Sequence, residues 1–420
     1  IKLTSLIEPT PLIDPTTLIE LVEITTHRGA PAMDFTLPET ARAVRDLAAD
    51  IATKISTHER VAALEASSAP LDDQLWRELA AAGLLALELP ETLAGDAAGD
   101  LSTVENTAVA EQLGTHLARV PFGQHAIAAG PIVARYAATK LAAELLPRLA
   151  DGTLIATAAV EEDLGDDALS PTTTLTRTDD GYVLRGSKIN VGYAAAAGLL
   201  LVTAHDPDSV AVAVVDASAT GITITETRTT GLTPTHHVEF SDVALDDAHV
   251  LHGVDVVSDL VDRLTLAVCA EQSGVLAAAL DATARYARER EQFGRPIGSF
   301  QAVAQRLADG YIDVSALSLT TTQASWLLAQ SDTGSSGDPE HPETTGSAGV
   351  SAAIATAKFW AAESGHRVAH TAVHVHGGVG LDTSHPTHRY FLRAKQNEFT
   401  LGSANTSLRR LGDALAAEPA

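Results

Sequence analysis

The sequence contains one cysteine, Cys269, and one methionine, Met33, in 420 residues. A lone cysteine excludes a disulfide within the chain, and it also excludes a zinc site built from several cysteines. Because disulfides are typical of oxidising compartments, this usage favours a reducing one. We therefore expect a cytoplasmic protein, long enough to bury a large core.

Positive charge is also scarce, since 28 lysines and arginines stand against 54 aspartates and glutamates, a net charge of −26. Such a balance argues against binding to nucleic acid or to an anionic membrane surface. Apolar runs are short, and none approaches the roughly 20 residues that span a bilayer. We expect neither a nucleic acid nor a membrane as a partner, and no secretory leader.

The two ends of the chain differ in character from its middle. Residues 1–32 are rich in proline and precede the only methionine, so we interpret them as a non-native or disordered extension. Residues 33–150 show helical spacing of apolar residues and a capping box from Ser102 to Glu105. They predict an N-terminal helical domain.

From residue 151 to residue 255 the apolar period changes to two, with a hairpin turn at Asp179-Asp180-Gly181. Residues 256–415 return to helical spacing, which a flexible, Gly- and Ser-rich insertion at 331–349 interrupts. The expected fold class is α+β multidomain, in which a β-barrel or β-sandwich lies between a helical domain and a C-terminal helical bundle.

Two long helical segments meet at a corner near Arg290. Gly294, Pro296 and Gly298 stop the first helix, and Ser299 predicts the N-cap of the second. Apolar spacing in the second helix is carried by Phe300, Val303, Leu307, Tyr311 and Val314. The corner exposes Arg290, Gln292 and Phe293, a bidentate cation, an amide and an aromatic ring that suit a phosphate and a flat ring.

The string REQFGRPIGSFQAV, which begins at Arg290, resembles the signature of the acyl-CoA dehydrogenase family. EQLGTHLARVPFG and FSDVALDDAHVL resemble that family's N-terminal domain and the exit from its middle domain, so the resemblance covers Met33 to about Gly412. It implies an FAD enzyme that oxidises acyl-CoA thioesters to 2,3-enoyl products. It also implies an electron-transfer flavoprotein as acceptor and assembly as a dimer of dimers.

By this resemblance, Arg290, Gln292 and Phe293 contact the pyrophosphate and adenosine side of an FAD held mainly by a neighbouring subunit, with Gln301 nearby. The family's second FAD motif, a glutamine followed by paired glycines, corresponds to HVHGGVG, with His374 in place of the glutamine before Gly377 and Gly378.

Histidines at 366, 370 and 374 recur every four residues and could form a metal-binding face. No nearby carboxylate completes an HExxH pattern. We therefore expect no metal, and we expect these side chains to be packed or hydrogen-bonded at a subunit contact.

The middle domain departs from the family where the flavin ring is expected. A Thr-Glu-Pro-Gly-like loop is replaced by VEEDLG, and we expect the acidic side chains of this segment to be solvated: Glu161, Glu162, Asp163, Asp166 and Asp167. A tryptophan and a threonine commonly flank the ring. This chain has Lys188-Ile189-Asn190-Val191-Gly192 there, without the aromatic shield or the hydroxyl.

The family's base, a glutamate, is also missing. Its usual position before Gly402 holds Leu401, and its alternative position holds Leu264. Neither side chain accepts a proton. Asp262, Glu271 and Glu398 are near these positions in sequence, and we expect Asp262 and Glu398 to be surface carboxylates.

These features predict a subunit of an FAD-dependent acyl-CoA dehydrogenase, which contributes to the FAD site and acts with a related subunit carrying the base. Three alternatives stay open. The first is a complete enzyme with an unrecognised base, and the second is a flavoprotein of the same fold with different oxidation chemistry. The third is a non-catalytic assembly protein without flavin.

Overall fold

Helices occupy both ends of the described chain and a β-sheet occupies its middle, as predicted. The computed structural model describes residues 35–95, 99–163, 167–206, 209–332 and 347–417. The predicted extension at 1–32 and most of the predicted insertion at 331–349 lie outside these residues.

The N-terminal helices are α1 (Glu39–Ile55), α2 (His58–Glu65), α3 (Asp73–Ala81), α4 (Glu91–Ala94), α5 (Thr103–Thr115), a π-helix (Gly123–Ala129), α6 (Gly130–Tyr136) and α7 (Thr139–Ala150). The capping box before α5 is confirmed. The Glu105 carboxylate accepts from the Ser102 N–H, and the Ser102 hydroxyl oxygen accepts from a backbone N–H of the first turn. Leu75 and Leu79 bury one face of α3, as their spacing predicts.

The strands are β1 (Ala156–Ala159), β2 (Thr174–Thr178), β3 (Gly181–Gly192), β4 (Leu199–His205), β5 (Val210–Asp216), β6 (Ile222–Thr227), β7 (Thr235–Leu245) and β8 (Val250–His252). They form one sheet in the order β6-β7-β3-β2-β4-β5-β8, and β1 pairs with β4 in parallel. The hairpin at Asp179-Asp180-Gly181 is confirmed, since it joins antiparallel β2 and β3.

The C-terminal helices are α8 (Val254–Glu289), α9 (Gln301–Asp332), α10 (Ser347–His376), α11 (Thr387–Phe399) and α12 (Ala404–Ala417), and the short strands β9 (Glu291–Gln292) and β10 (Arg295–Pro296) join α8 to α9. The length and composition of α8 would allow it to cross a bilayer, but 72% of its most apolar window is buried inside the protein. We therefore regard α8 as a core helix.

Two details of the α8–α9 corner differ from the sequence prediction. Ser299 does not cap α9, because its hydroxyl donates to the Pro296 carbonyl at 2.7 Å within a 3₁₀ turn. Tyr311, predicted on the buried face of α9, is 70% exposed. Most residues in the first half of α9 are exposed, so the apolar spacing alone did not show which of them are buried.

One apolar core connects all three parts of the chain. It contains Ile132 and Leu146 from the N-terminal helices, Val214 from the sheet, and Leu264 from α8. Leu401, in the turn between α11 and α12, packs into the same core. This arrangement fixes the sheet against α8 and α11 and so positions the cavity described below.

His125, on the π-helix, connects the N-terminal helices to β1. Its ring is buried, Nδ1 accepts from the Ala156 N–H at 3.1 Å, and Nε2 lies 3.0 Å from the Leu149 carbonyl oxygen. These contacts require the neutral ring with its proton on Nε2. Burial lowers the pKa of His125 from 6.5 to about 4.

We expect His125 to make the protein less stable in acid. The folded state binds this proton less readily than the unfolded state, so the stability present above pH 6.5 is lost as pH falls towards 4, by about 3 kcal/mol. In denaturant titrations from pH 7 to 4, the free energy of unfolding should fall less in His125→Gln than in wild type. The exposed His205→Gln should match wild type, and equal slopes in all three proteins would contradict the assignment.

Candidate functional site

The corner between α8 and α9 is exposed, as predicted. Phe293 is 92% exposed, and its φ of +54° lies in the left-handed region that non-glycine residues seldom adopt. The guanidinium of Arg290 has no partner among the described residues. An exposed ring in a strained conformation and a free cation are typical of groups that meet a ligand.

The second predicted motif lies at the same end of the C-terminal helices. Tyr286, one turn before Arg290, stacks on His376 with ring centroids 4.3 Å apart, and His376 directly precedes Gly377. A Cβ atom added at Gly377 or Gly378 would meet no atom within 4 Å. Every predicted cofactor residue is exposed: Arg290, Gln292, Phe293, Gln301, His374, Gly377 and Gly378. We refer to these seven residues as the corner surface.

The corner surface fits the adenosine side of FAD. Its arginine can pair bidentately with a diphosphate, its aromatic ring can stack on a base, and the glycines let a ligand approach the backbone. Exposure of the whole surface also agrees with a ligand carried mainly by another chain.

The histidines of α10 do not form a metal site in the described part of the chain. His366 lies 3.3 Å from a Glu398 oxygen and 3.2 Å from the Lys395 ammonium. His370 packs edge-on against Phe391, with ring centroids 5.3 Å apart. His366 and His370 therefore have neighbours other than a metal, whereas His374 is exposed.

A cavity of about 290 Å³ lies between the sheet, α8 and α11. Leu264 and Leu401 both line it, so the two positions predicted for a base meet at one site. Both side chains are buried. We refer to this space as the leucine cavity.

Glu161 also lines the leucine cavity, so its predicted solvation is wrong. It directly follows β1 and Val160, and its carboxylate accepts the Leu401 N–H at 3.2 Å. Burial raises the pKa of the Glu161 carboxyl. The sequence analysis expected Glu161 in solvent, although its place two residues after a fully buried strand was a usable signal.

Glu162 is not solvated either. Its carboxylate accepts from the buried Lys188 ammonium at 2.7 Å and from the Thr173 hydroxyl at 2.7 Å. Burial opposes ionisation, but these donors prevail and lower the pKa of Glu162 to about 2. Asp163 and Asp167 are exposed as predicted, and Asp166 lies outside the described residues.

Asp262 and Glu398, which were expected at the surface, are partly buried and buried, respectively. Asp262 is partly buried at a second cavity, where its carboxylate accepts from the Ser351 hydroxyl at 2.6 Å, and burial raises the pKa of Asp262 to about 7. Glu398 is buried beside Lys395. Glu271 lines the leucine cavity but pairs with Arg393.

Strained backbone surrounds the leucine cavity. Asn190, Tyr193 and Leu401 line it with φ values of +53°, +57° and +59°. Asn190 lies where the register of β3 against β7 shifts, which is typical of a β-bulge. Such strain concentrates at functional sites, because surrounding structure must hold it in place.

Comparison with known proteins gives three consecutive matches. They are the acyl-CoA dehydrogenase N-terminal domain over residues 38–153, the middle domain over 156–243 and the C-terminal domain over 252–416. Acyl-CoA dehydrogenase FadE27 of Mycobacterium tuberculosis is 43% identical over 388 residues, covering 92% of this chain and all of that protein.

Solved structures agree. A chain of the ChsE4-ChsE5 complex of M. tuberculosis superposes with a TM-score of 0.83 at 43% identity, covering 92% of this chain and 100% of that one. A chain of the Tcur3481-Tcur3483 steroid ACAD superposes with a TM-score of 0.81 at 37% identity, covering 91% of this chain and 99% of that one. A glutaryl-CoA dehydrogenase of Mycobacterium smegmatis in complex with FADH2 shares the fold, with a TM-score of 0.78 at 18% identity. The match covers 91% of this chain and 96% of that one.

Proposed function

Because the chain belongs to the acyl-CoA dehydrogenase family, whose cofactor is FAD, we propose that it is one subunit of a two-component acyl-CoA dehydrogenase. In this proposal it completes an FAD site in a related subunit and supplies no base. The observation that carries the proposal is the corner surface, where Phe293 is 92% exposed and the Arg290 guanidinium has no partner in the described chain.

The reaction requires a base for the Cα proton of the thioester, and bound FAD supplies the acceptor for the Cβ hydride. The leucine cavity presents Leu264 and Leu401 at the positions where the family resemblance places that base. A related subunit with a glutamate at either position would complete the reaction.

The substrate class we propose is an acyl-CoA that carries a steroid ring system. Support comes from two similar chains, both solved as two-component complexes, one of which is named a steroid ACAD. Electron-transfer flavoprotein is the electron acceptor we propose.

Arg290→Ala in the assembled complex should lower FAD affinity about a hundredfold. Loss of a charge-assisted contact with the diphosphate costs about 2–3 kcal/mol. FAD retained after gel filtration, measured by absorbance, checks this. Arg288→Ala changes an exposed arginine of the same helix and should retain wild-type FAD. Equal FAD occupancy in both variants would show that Arg290 does not bind the cofactor.

A further inference from the structure

The two halves of the corner surface are far apart in sequence. Arg290, Gln292 and Phe293 follow α8, whereas Gly377 and Gly378 follow α10. A ligand that contacts both halves binds more tightly when the protein already holds them in the right relation, because binding then costs less ordering. The contact that joins the two halves therefore affects the affinity of the whole surface.

Aromatic rings make this contact. Tyr286 lies in the last turn of α8 and His376 is the last residue of α10. Their rings stack, with centroids 4.3 Å apart and 24° between the planes. The ring of His385, in the loop before α11, also contacts His376, with centroids 5.4 Å apart. The three rings thus connect three segments of the C-terminal domain beside the corner surface.

Hydrogen bonds fix the orientation of the His376 ring. Its Nδ1 lies 2.8 Å from the Ala372 carbonyl oxygen, which can only accept, so Nδ1 carries the proton. The Thr387 hydroxyl lies 3.4 Å from Nε2, the nitrogen that accepts. The side chain is only 5% exposed, and burial lowers the pKa of His376, as does the nearby His385. A neutral ring is thereby held in the orientation that stacks on Tyr286.

Each stacked ring is connected to one half of the corner surface through the backbone. The Tyr286 carbonyl accepts the Arg290 N–H at 2.8 Å, and the Arg290 carbonyl accepts the Ile297 N–H at 2.8 Å across the short hairpin of β9 and β10. His376 directly precedes Gly377, whose φ of +62° begins a 3₁₀ helix. Displacing either ring therefore displaces groups of the corner surface.

We propose that Tyr286 and His376 are positioning residues for the FAD contact, because their stack holds the α8–α9 corner and the Gly377–Gly378 turn in one fixed relation before the cofactor binds. Neither ring needs to touch FAD. This inference rests on the proposed function, because it assumes that the corner surface contacts FAD. Since the two rings act as a pair, removing the second ring after the first should change little.

The test measures FAD affinity in the complex of this chain with its related subunit. FAD is removed from the assembled complex and titrated back, and binding is followed by flavin fluorescence. Tyr286→Leu should weaken binding about two- to tenfold, the effect of losing one aromatic contact. Tyr286→Phe keeps the ring and should bind FAD as wild type does. Tyr182→Leu is the matched control, because it removes a tyrosine–histidine contact of the sheet, with His252, and should leave FAD affinity unchanged.

His376→Asn removes the other ring but keeps a donor for the Ala372 carbonyl. It should weaken FAD binding as much as Tyr286→Leu does, and the double variant should bind no more weakly than either single one. His376→Asn also decides the question if Tyr286→Leu fails to assemble. Unchanged affinity in His376→Asn, equal losses in Tyr286→Phe and Tyr286→Leu, or losses that multiply in the double variant would each overturn the inference.

Arg290→Ala in the same complex separates this inference from the proposed function. Loss of FAD in Arg290→Ala, with wild-type affinity in Tyr286→Leu and His376→Asn, would overturn the inference and leave the proposed function standing. Wild-type affinity in Arg290→Ala would instead overturn the role of the corner surface, on which both depend.

Discussion

Expressed alone, the chain should oxidise an acyl-CoA about 10²- to 10⁴-fold more slowly than its complex with a related subunit that carries the glutamate. General-base catalysis contributes a factor of that size. In this chain Leu264 and Leu401 occupy the two positions where the family resemblance places the base, and they line one cavity. Neither side chain accepts a proton. The rate is followed by reduction of an artificial electron acceptor, with short, long and steroid acyl-CoA thioesters.

Full activity from the lone chain would contradict the subunit model. Glu161→Gln, Glu271→Gln and Asp262→Asn would then identify the base, since Glu161 and Glu271 line the leucine cavity and Asp262 lines a second cavity. Inactivity of both preparations, with no bleaching of flavin by any thioester, would favour an assembly protein or different oxidation chemistry. The complex with a glutamate-to-glutamine partner is the matched control, because it keeps both chains and removes only the base.

Arg263→Met should lower the free energy of unfolding by about 3–5 kcal/mol. Arg263 is fully buried on α8 and pairs with Glu88, Asp259 and Asp332, which come from the N-terminal domain, α8 and the end of α9. Methionine fills a similar volume but leaves Glu88 without its cation, and it leaves Asp259 and Asp332 paired with Arg135 alone among the described residues. The cost is therefore electrostatic rather than a cavity effect.

Urea titration of the assembled protein measures this loss. Arg285→Met is the control on the same helix, because Arg285 pairs with Asp281 at the surface, where both side chains are more than 60% exposed. Exposed pairs of this kind contribute about 0–1 kcal/mol. Equal stability of the two variants would show that the buried cluster is not a net stabilising contact.

Sequence patterns predicted what depends on local chemistry. The capping box at Ser102, the hairpin at Asp179-Asp180-Gly181 and the exposed corner at Arg290 each depend on a few neighbouring residues, and each is confirmed. The meeting of Leu264 and Leu401 in one cavity could not be read from periodicity. It depends on how α8 packs against the α11–α12 turn.

The wrong predictions share a cause. Glu161, Glu162 and Asp262 were expected in solvent because carboxylates usually are. Their burial depends on partners distant in sequence, namely the Leu401 N–H, the Lys188 ammonium and the Ser351 hydroxyl. The N-cap prediction at Ser299 is wrong for a different reason. The Ser299 hydroxyl donates to the nearby Pro296 carbonyl and does not cap the first turn of α9.

The core shared by the N-terminal helices, the sheet and α8 also bears on how the chain opens. Because Ile132, Val214 and Leu264 belong to one apolar cluster, separating any two parts exposes the same buried surface. Amide hydrogen exchange should therefore detect one cooperative unit there, while the exposed start of α9 exchanges by local fraying. The start of α9 can thus fray without loosening the body of the chain.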